Sequence, residues 1–206
     1  DRVAAAQIRQ LQSATRLLGG YGLALLRAGR GAQRCAVSLY YGRAATEHGH
    51  FDRLAIELFA YGRKPVPEHG YGEHAAEGQP PAIWTKNTLP HATVVVDGRR
   101  PDTQAPGRLE ALAAGPGLSL VEVEAADAYA SVSEYRRTVA LVEVGANARY
   151  VLDLFRVGGG SRHDYSMHGL GARFTATGIC LPPPRTRGSL AGERVPREAI
   201  YDDDGL

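Results

Sequence analysis

The sequence predicts a mainly β protein: a large two-layer antiparallel sandwich with one helix at its N-terminal end. Eight short β-type runs follow one another between residues 21 and 177 with Gly, Pro, Asp and Asn between them and no helical pattern separating them. Strands in such a series, without crossover helices, pair antiparallel. Within the runs, Leu118 to Glu124 alternates as a half-buried strand requires. Tyr150 to Phe155 is apolar nearly throughout, the pattern of a central strand between two layers.

Taken in order, residues 2–18 place Val3, Ile8, Leu11 and Thr15 at helical spacing among Ala and Gln, with Gly19 and Gly20 as a stop. The strand runs are Tyr21 to Arg27, Arg34 to Tyr41, Leu54 to Tyr61, Thr93 to Asp97, Leu118 to Glu124, Thr138 to Val144, Arg149 to Val157 and Phe174 to Thr177. Residues 125–136 read as a short helix or loop. Beyond Cys180 comes Leu-Pro-Pro-Pro-Arg and then a polar tail without periodicity. The expected organisation is a terminal helix over 1–18, a β-sandwich over 19–180 and an irregular tail over 181–206. A lone short helix beside a large β domain packs on something else, so the chain reads as part of a longer protein.

Composition narrows the function. The 206 residues carry 24 Lys+Arg against 22 Asp+Glu, a formal net charge of +2, which gives no support to nucleic-acid binding. Hydrophobic residues make up 44% of the chain, enough for a real core and against disorder. No apolar run approaches the roughly 20 residues of a membrane span, and no leader pattern opens the chain at Asp1. A soluble protein without a membrane span is expected. Cys35 and Cys180 either pair across the sandwich or serve as small buried hydrophobes, and the sequence leaves both open.

Histidines carry the chemical signal. Five of the seven, His48, His50, His69, His74 and His91, fall between positions 48 and 91. They sit in Glu47-His-Gly-His-Phe-Asp52, in Val66-Pro-Glu-His-Gly-Tyr71 and in Trp84-Thr-Lys-Asn-Thr-Leu-Pro-His91, each abutting a strand end. Strand ends are where a rigid scaffold can hold ligands or catalytic groups in fixed relation. Two imidazoles and one carboxylate suit zinc and leave a fourth position open, although solvated loop histidines have the same composition. A cupin-like metal site is a poor match, because Glu57 lies seven residues after His50 and inside an apolar strand.

The ordered succession Glu-His-Gly-His-Phe-Asp-Arg-Leu, Glu-His-Gly-Tyr, Trp-Thr-Lys-Asn-Thr-Leu-Pro-His and Thr-Val-Val-Val-Asp-Gly resembles the heparinase II/III-like polysaccharide lyases. His48-Gly-His-Phe-Asp52 is most similar to the oligoalginate lyase branch. The likeness continues through Tyr150-Val-Leu-Asp-Leu-Phe-Arg-Val-Gly-Gly-Gly and Met167-His168-Gly169, covering about Leu17 to Gly169.

The resemblance implies a β-sandwich preceded by a toroid of paired helices, with the active cleft between them. The helix over 1–18 would be the last of that toroid, and the chain would be the C-terminal part of a lyase acting on an acidic polysaccharide or oligosaccharide. It implies a zinc triad of His50, Glu68 and His91, mainly structural, and it puts His48 and Tyr71 at the catalytic cleft. Two positions depart from the family pattern. Glu68 stands where Asp is usual, keeping the carboxylate on a stem one methylene longer, and Ala92 stands where Asn follows the last ligand. With the principal tyrosine base and the carboxylate-neutralising pair expected in the toroid, this chain alone would be nearly inactive. A reading of a different class is a non-catalytic β-sandwich that binds carbohydrate or a partner protein.

Overall fold

A computed structural model describes residues 14–44, 49–68, 70, 84–145, 148–170, 175 and 177–180. Eleven strands run through them in chain order. β1 (Arg16–Leu18), β2 (Leu23–Ala28), β3 (Cys35–Tyr40), β4 (Ile56–Ala60) and β5 (Arg63–Val66) form one five-stranded antiparallel meander. β6 (Val94–Val96) pairs with β11 (His163–Tyr165) in a two-stranded antiparallel ribbon. β7 (Arg108–Gly115), β8 (Leu118–Glu124), β9 (Val132–Val144) and β10 (Ala148–Gly159) form a four-stranded sheet in the order β10-β9-β8-β7. The fold is therefore the expected mainly β, antiparallel sandwich. No helix among the described residues is long and apolar enough to cross a membrane.

Alternation explains which face each strand buries. In β2 the residues Ala24, Leu26 and Ala28 point inward while Leu23, Leu25 and Arg27 point out. In β3 Cys35, Val37 and Leu39 are buried, and in β8 Val121 and Val123 are fully buried. These inward rows meet Tyr135, Val139 and Leu141 of β9 in one core. Burying each such Leu or Val stabilises the fold by about 1.5–3 kcal/mol. Cys35 is buried and free and Cys180 is exposed and free, so the core reading applies to Cys35 and the two do not pair.

Tertiary pairing overrides local pattern at several places. The helical reading of 2–18 fails at its end, where Arg16–Leu18 is a strand paired with Leu23–Leu25; residues 1–13 lie outside the described residues. Gly19 and Gly20, read as a helix stop, instead belong to the hairpin turn, closed by Gly22 N–H donating to the Leu18 carbonyl at 2.9 Å. β10 is not a central strand but the edge of its sheet, with Tyr150, Leu152 and Leu154 about half exposed on its outer side. β5, β7 and β11 were not expected at all. Each is short, polar or largely exposed, and edge strands need no apolar alternation. Pro65 is tolerated in β5 for the same reason. Residues 125–136 contain a 3-10 turn at Ala126–Ala128, and β9 already begins at Val132. The run Phe174 to Thr177 lies mostly outside the described residues.

Two buried arginines lock the loops that lead to the histidine segments. Arg53, 2% exposed, donates to the carbonyls of Tyr41 at 3.0 Å, Gly42 at 2.8 Å, Asp102 at 3.3 Å and Ala105. Arg137, fully buried, grips Asp153 through two bonds of 2.8 and 2.7 Å and donates to the carbonyls of Leu54 and Ala92. A buried guanidinium donating to several carbonyls in this way acts as a rigid bracket between chain segments remote in sequence, although Arg53 Nε has no hydrogen-bond partner among the described residues.

Candidate metal centre and cleft

Three loops converge beside the outward face of the five-stranded sheet. His50 lies between β3 and β4, Glu68 just after β5, and His91 just before β6. Main-chain bonds align them: Phe51 N–H donates to the Lys86 carbonyl at 2.9 Å, and Ile56 N–H donates to the Ala92 carbonyl at 3.3 Å. Thr93 fixes the same junction through its hydroxyl, which donates to the Arg53 carbonyl at 2.6 Å.

Glu68 stands between the two histidines. Its Oε2 lies 2.9 Å from His91 Nδ1 and its Oε1 lies 4.0 Å from His50 Nδ1. One ligand atom from each of the three residues falls within 4.8 Å of the others. The imidazole rings are 5.3 Å apart, centroid to centroid. Nitrogens and oxygens at about 2.0–2.2 Å from a tetrahedral zinc are separated by roughly 3.3 Å from one another, between the two Glu68 distances. Glu68 therefore bonds His91 directly and comes within 4.0 Å of His50.

Electrostatics suit a cation. Burial and the neighbouring His91 push His50 below the ordinary histidine range, which leaves it a neutral imidazole at neutral pH, the ligating form. Burial works against charge on both Glu68 and His91, but their mutual bond outweighs it, holding Glu68 low and His91 high. Asp52 sits close by, its carboxyl pushed up to about 6 by burial and by the Glu68 charge. Its Oδ1 is buried with no hydrogen-bond partner among the described residues. Two neutral-capable imidazoles, one carboxylate and surplus buried negative charge form a donor set that fits zinc.

His50 and Glu68 line a cleft of about 380 Å³ on the outer faces of β2, β3 and β4, while His91 is buried and is not part of its lining. Its floor is made by Tyr21, Leu23, Leu25 and Tyr40, and its rim by Asp52 and Glu57. These floor residues were missed in the sequence. The one available signal was the pairing of each tyrosine with a nearby glycine, Tyr21 with Gly22 and Tyr40 with Gly42.

An antiparallel sandwich carrying a His/Glu/His cluster at a cleft is the class that fold and site define. Residues 12–179 match the model of the heparinase II/III-like C-terminal family, and the chain belongs to that family. Solved lyases share the fold. A mutant of heparan sulfate lyase HepC from Pedobacter heparinus is 22% identical with a TM-score of 0.58, over 70% of this chain and 22% of that one. A heparinase III gene product is 18% identical with a TM-score of 0.68, over 80% of this chain and 25% of that one. The chain thus spans about a quarter or less of the length of these lyases. Comparison with curated proteins gives no match.

Of the residues expected at the site, His50, Glu68 and His91 come together, while His48 and Tyr71 lie outside the described residues, as do His69 and His74. His163 and His168 bond to the main-chain carbonyls of Gly159 and Leu89, in keeping with strand-end packing. Trp84 meets His168 edge to face at 6.4 Å, away from the cleft lining.

Proposed function

We propose that this chain is the C-terminal part of a lyase that cleaves uronate-containing glycans by β-elimination, contributing a zinc site and one wall of the active cleft. The observation that carries the reading is the convergence of His50, Glu68 and His91, three residues from separate motifs, with His50 and Glu68 lining an open cleft. His50, Glu68 and His91 are the zinc ligands in this reading. The ion when bound ties three loops together, because binding free energy at an ordered site is folding free energy.

Elimination requires three services. The proton on the carbon next to the uronate carboxylate must be removed, the carboxylate must be neutralised so that the enolate-like intermediate is accessible, and the departing glycosidic oxygen must be protonated. The base takes the proton, the electron pair forms the new double bond, and the carbon–oxygen bond breaks. His48, two residues before His50, and Tyr71, three after Glu68, are the candidates on this chain for moving those protons. The remaining groups belong to a helical domain that we place N-terminal to this chain. The chain alone is nearly inactive on this reading.

The test incubates an N-terminally extended, zinc-loaded protein with alginate, heparan sulfate and hyaluronan and follows the near-ultraviolet absorbance of the unsaturated product. Absorbance growing with at least one polymer supports the reading. Silence on all uronate polymers and oligomers overturns it in favour of a sugar-binding sandwich without catalysis.

A further inference from the structure

Asp52 carries a buried carboxylate that the three-residue ligand set does not use. It lines the cleft together with His50 and Glu68. Its Oδ1 is shut off from solvent and has no hydrogen-bond partner among the described residues. A buried charged acceptor without a partner is costly to a fold.

The main chain on either side pins the carboxylate in place. Phe51 N–H donates to the Lys86 carbonyl at 2.9 Å, and the Phe51 ring lies under the Arg100 guanidinium at 4.9 Å. Ala55 N–H donates to the Asp52 carbonyl at 2.9 Å. The neighbouring Arg53 gives its guanidinium N–H groups to main-chain carbonyls of Tyr41, Gly42, Asp102 and Ala105 rather than to Asp52. Asp52 therefore stays in the wall of the site as an unbonded anion.

Counting charge shows what that anion suits. His91 donates from both ring nitrogens, to the Thr85 carbonyl and to Glu68, each at 2.9 Å, which makes it an imidazolium balanced by Glu68. Among the protein groups alone, Asp52 is then surplus negative charge. A dication on two neutral imidazoles and one carboxylate leaves the ligand set with surplus positive charge instead, and Lys86, whose charge reaches His50, adds to it. Asp52 cancels that surplus. Ligand atoms within 4.8 Å of one another come from His50, Glu68 and His91 and not from Asp52, so it acts through its charge.

We propose that Asp52 is the outer anion of the metal centre: it stays off the ion, and its buried charge balances the dication held by His50, Glu68 and His91 and so strengthens its binding. The inference rests on the triad being the metal site, and it adds a residue that sets affinity from outside the ligand set.

The experiment compares the native chain with Asp52→Asn, which keeps the shape and removes the charge. Competition with a chromophoric chelator gives zinc affinity, urea unfolding after chelation gives metal-free stability, and the visible spectrum of the cobalt(II) form reports the coordination. The expected result is zinc affinity lower by about tenfold or more in the variant, metal-free stability equal to or above that of the native chain, and a cobalt spectrum with the same bands. A side chain that merely held its loop would lose stability and affinity together, so a metal-free variant less stable than the native chain overturns the proposal. Equal zinc affinity in the two proteins also overturns it and leaves the triad as the metal site. Altered cobalt bands would make Asp52 a ligand and not an outer anion, with the same consequence. A native chain that takes up neither zinc nor cobalt removes the triad and the inference together.

Discussion

His91 Nε2 lies 2.9 Å from the main-chain carbonyl of Thr85, six residues earlier in the chain. A carbonyl only accepts, so Nε2 carries a proton; the Glu68 carboxylate, 2.9 Å from Nδ1, also only accepts, so in the metal-free chain Nδ1 donates to it and carries a proton that zinc would displace. This is the support that metal-ligating histidines use to fix tautomer and ring orientation. The expected outcome is one zinc per chain bound through His91 Nδ1, with affinity falling at least about 100-fold in His91→Ala. Equilibrium dialysis measures it, and unchanged stoichiometry and affinity in that variant would remove His91 from the site.

Glu68 separates geometry from charge. Glu68→Gln keeps the shape and loses the anion, so zinc affinity drops by about 10-fold to 100-fold or more. Glu68→Asp keeps the anion on a shorter stem and retains zinc more weakly than the native residue, since Glu68 already spans 2.9 and 4.0 Å to its two imidazoles. An aspartate variant that binds more tightly would show that the loop, not the side chain, sets the reach.

Metal and stability are linked. Free zinc at 100 times its dissociation constant adds about 2.7 kcal/mol to folding, which raises Tm by roughly 5–10 °C for a domain of this size. Calorimetry before and after chelation checks this. A Tm indifferent to zinc would mean that the three loops are held by protein contacts alone.

Asp153 sets an acid limit. Burial opposes its charge, but Arg137 at 2.7 Å and the Tyr165 hydroxyl at 2.5 Å more than offset that and hold the carboxyl below its ordinary value. A carboxylate whose pKa is lower folded than unfolded contributes stability above its unfolded value near 4, and that contribution disappears as pH falls through the folded value. Asp153→Asn therefore destabilises by about 3–5 kcal/mol at pH 7, leaving Arg137 buried without its counter-ion. Urea unfolding at pH 7 and pH 3 should show the gap between wild type and variant closing at the acid end. A gap independent of pH would show that the loss is one of packing.

Gly22→Ala should destabilise by more than about 1 kcal/mol, since φ is +75° and the added carbon would lie 2.3 Å from Gly42. Gly62→Ala, also at positive φ but with open space around it, should cost less. Thermal melts of the pair compare strain with clash, and equal losses would remove the Gly22–Gly42 contact as a constraint.

The amino-acid sequence by itself determined the inward face of most strands, and through its family resemblance it named His50, Glu68 and His91, three residues that the structure brings together. Alternation is a local property: Val121 and Val123 are buried because the period of two turns them to one side of β8, whatever strand lies beside it. His50, Glu68 and His91 were legible because each stands in a short motif at a strand end. Neighbours are another matter. Whether Arg16–Leu18 coils or pairs was decided by the availability of β2 across a four-residue turn, and the apolar run of β10 became an edge because only β9 pairs with it. Thr85 as the carbonyl that orients His91, and Tyr40 as the ring beside Tyr21, depend on chain segments brought together by folding. Periodicity encodes which side of a strand is dry; which elements share that dryness is settled by the burial of whole faces against each other.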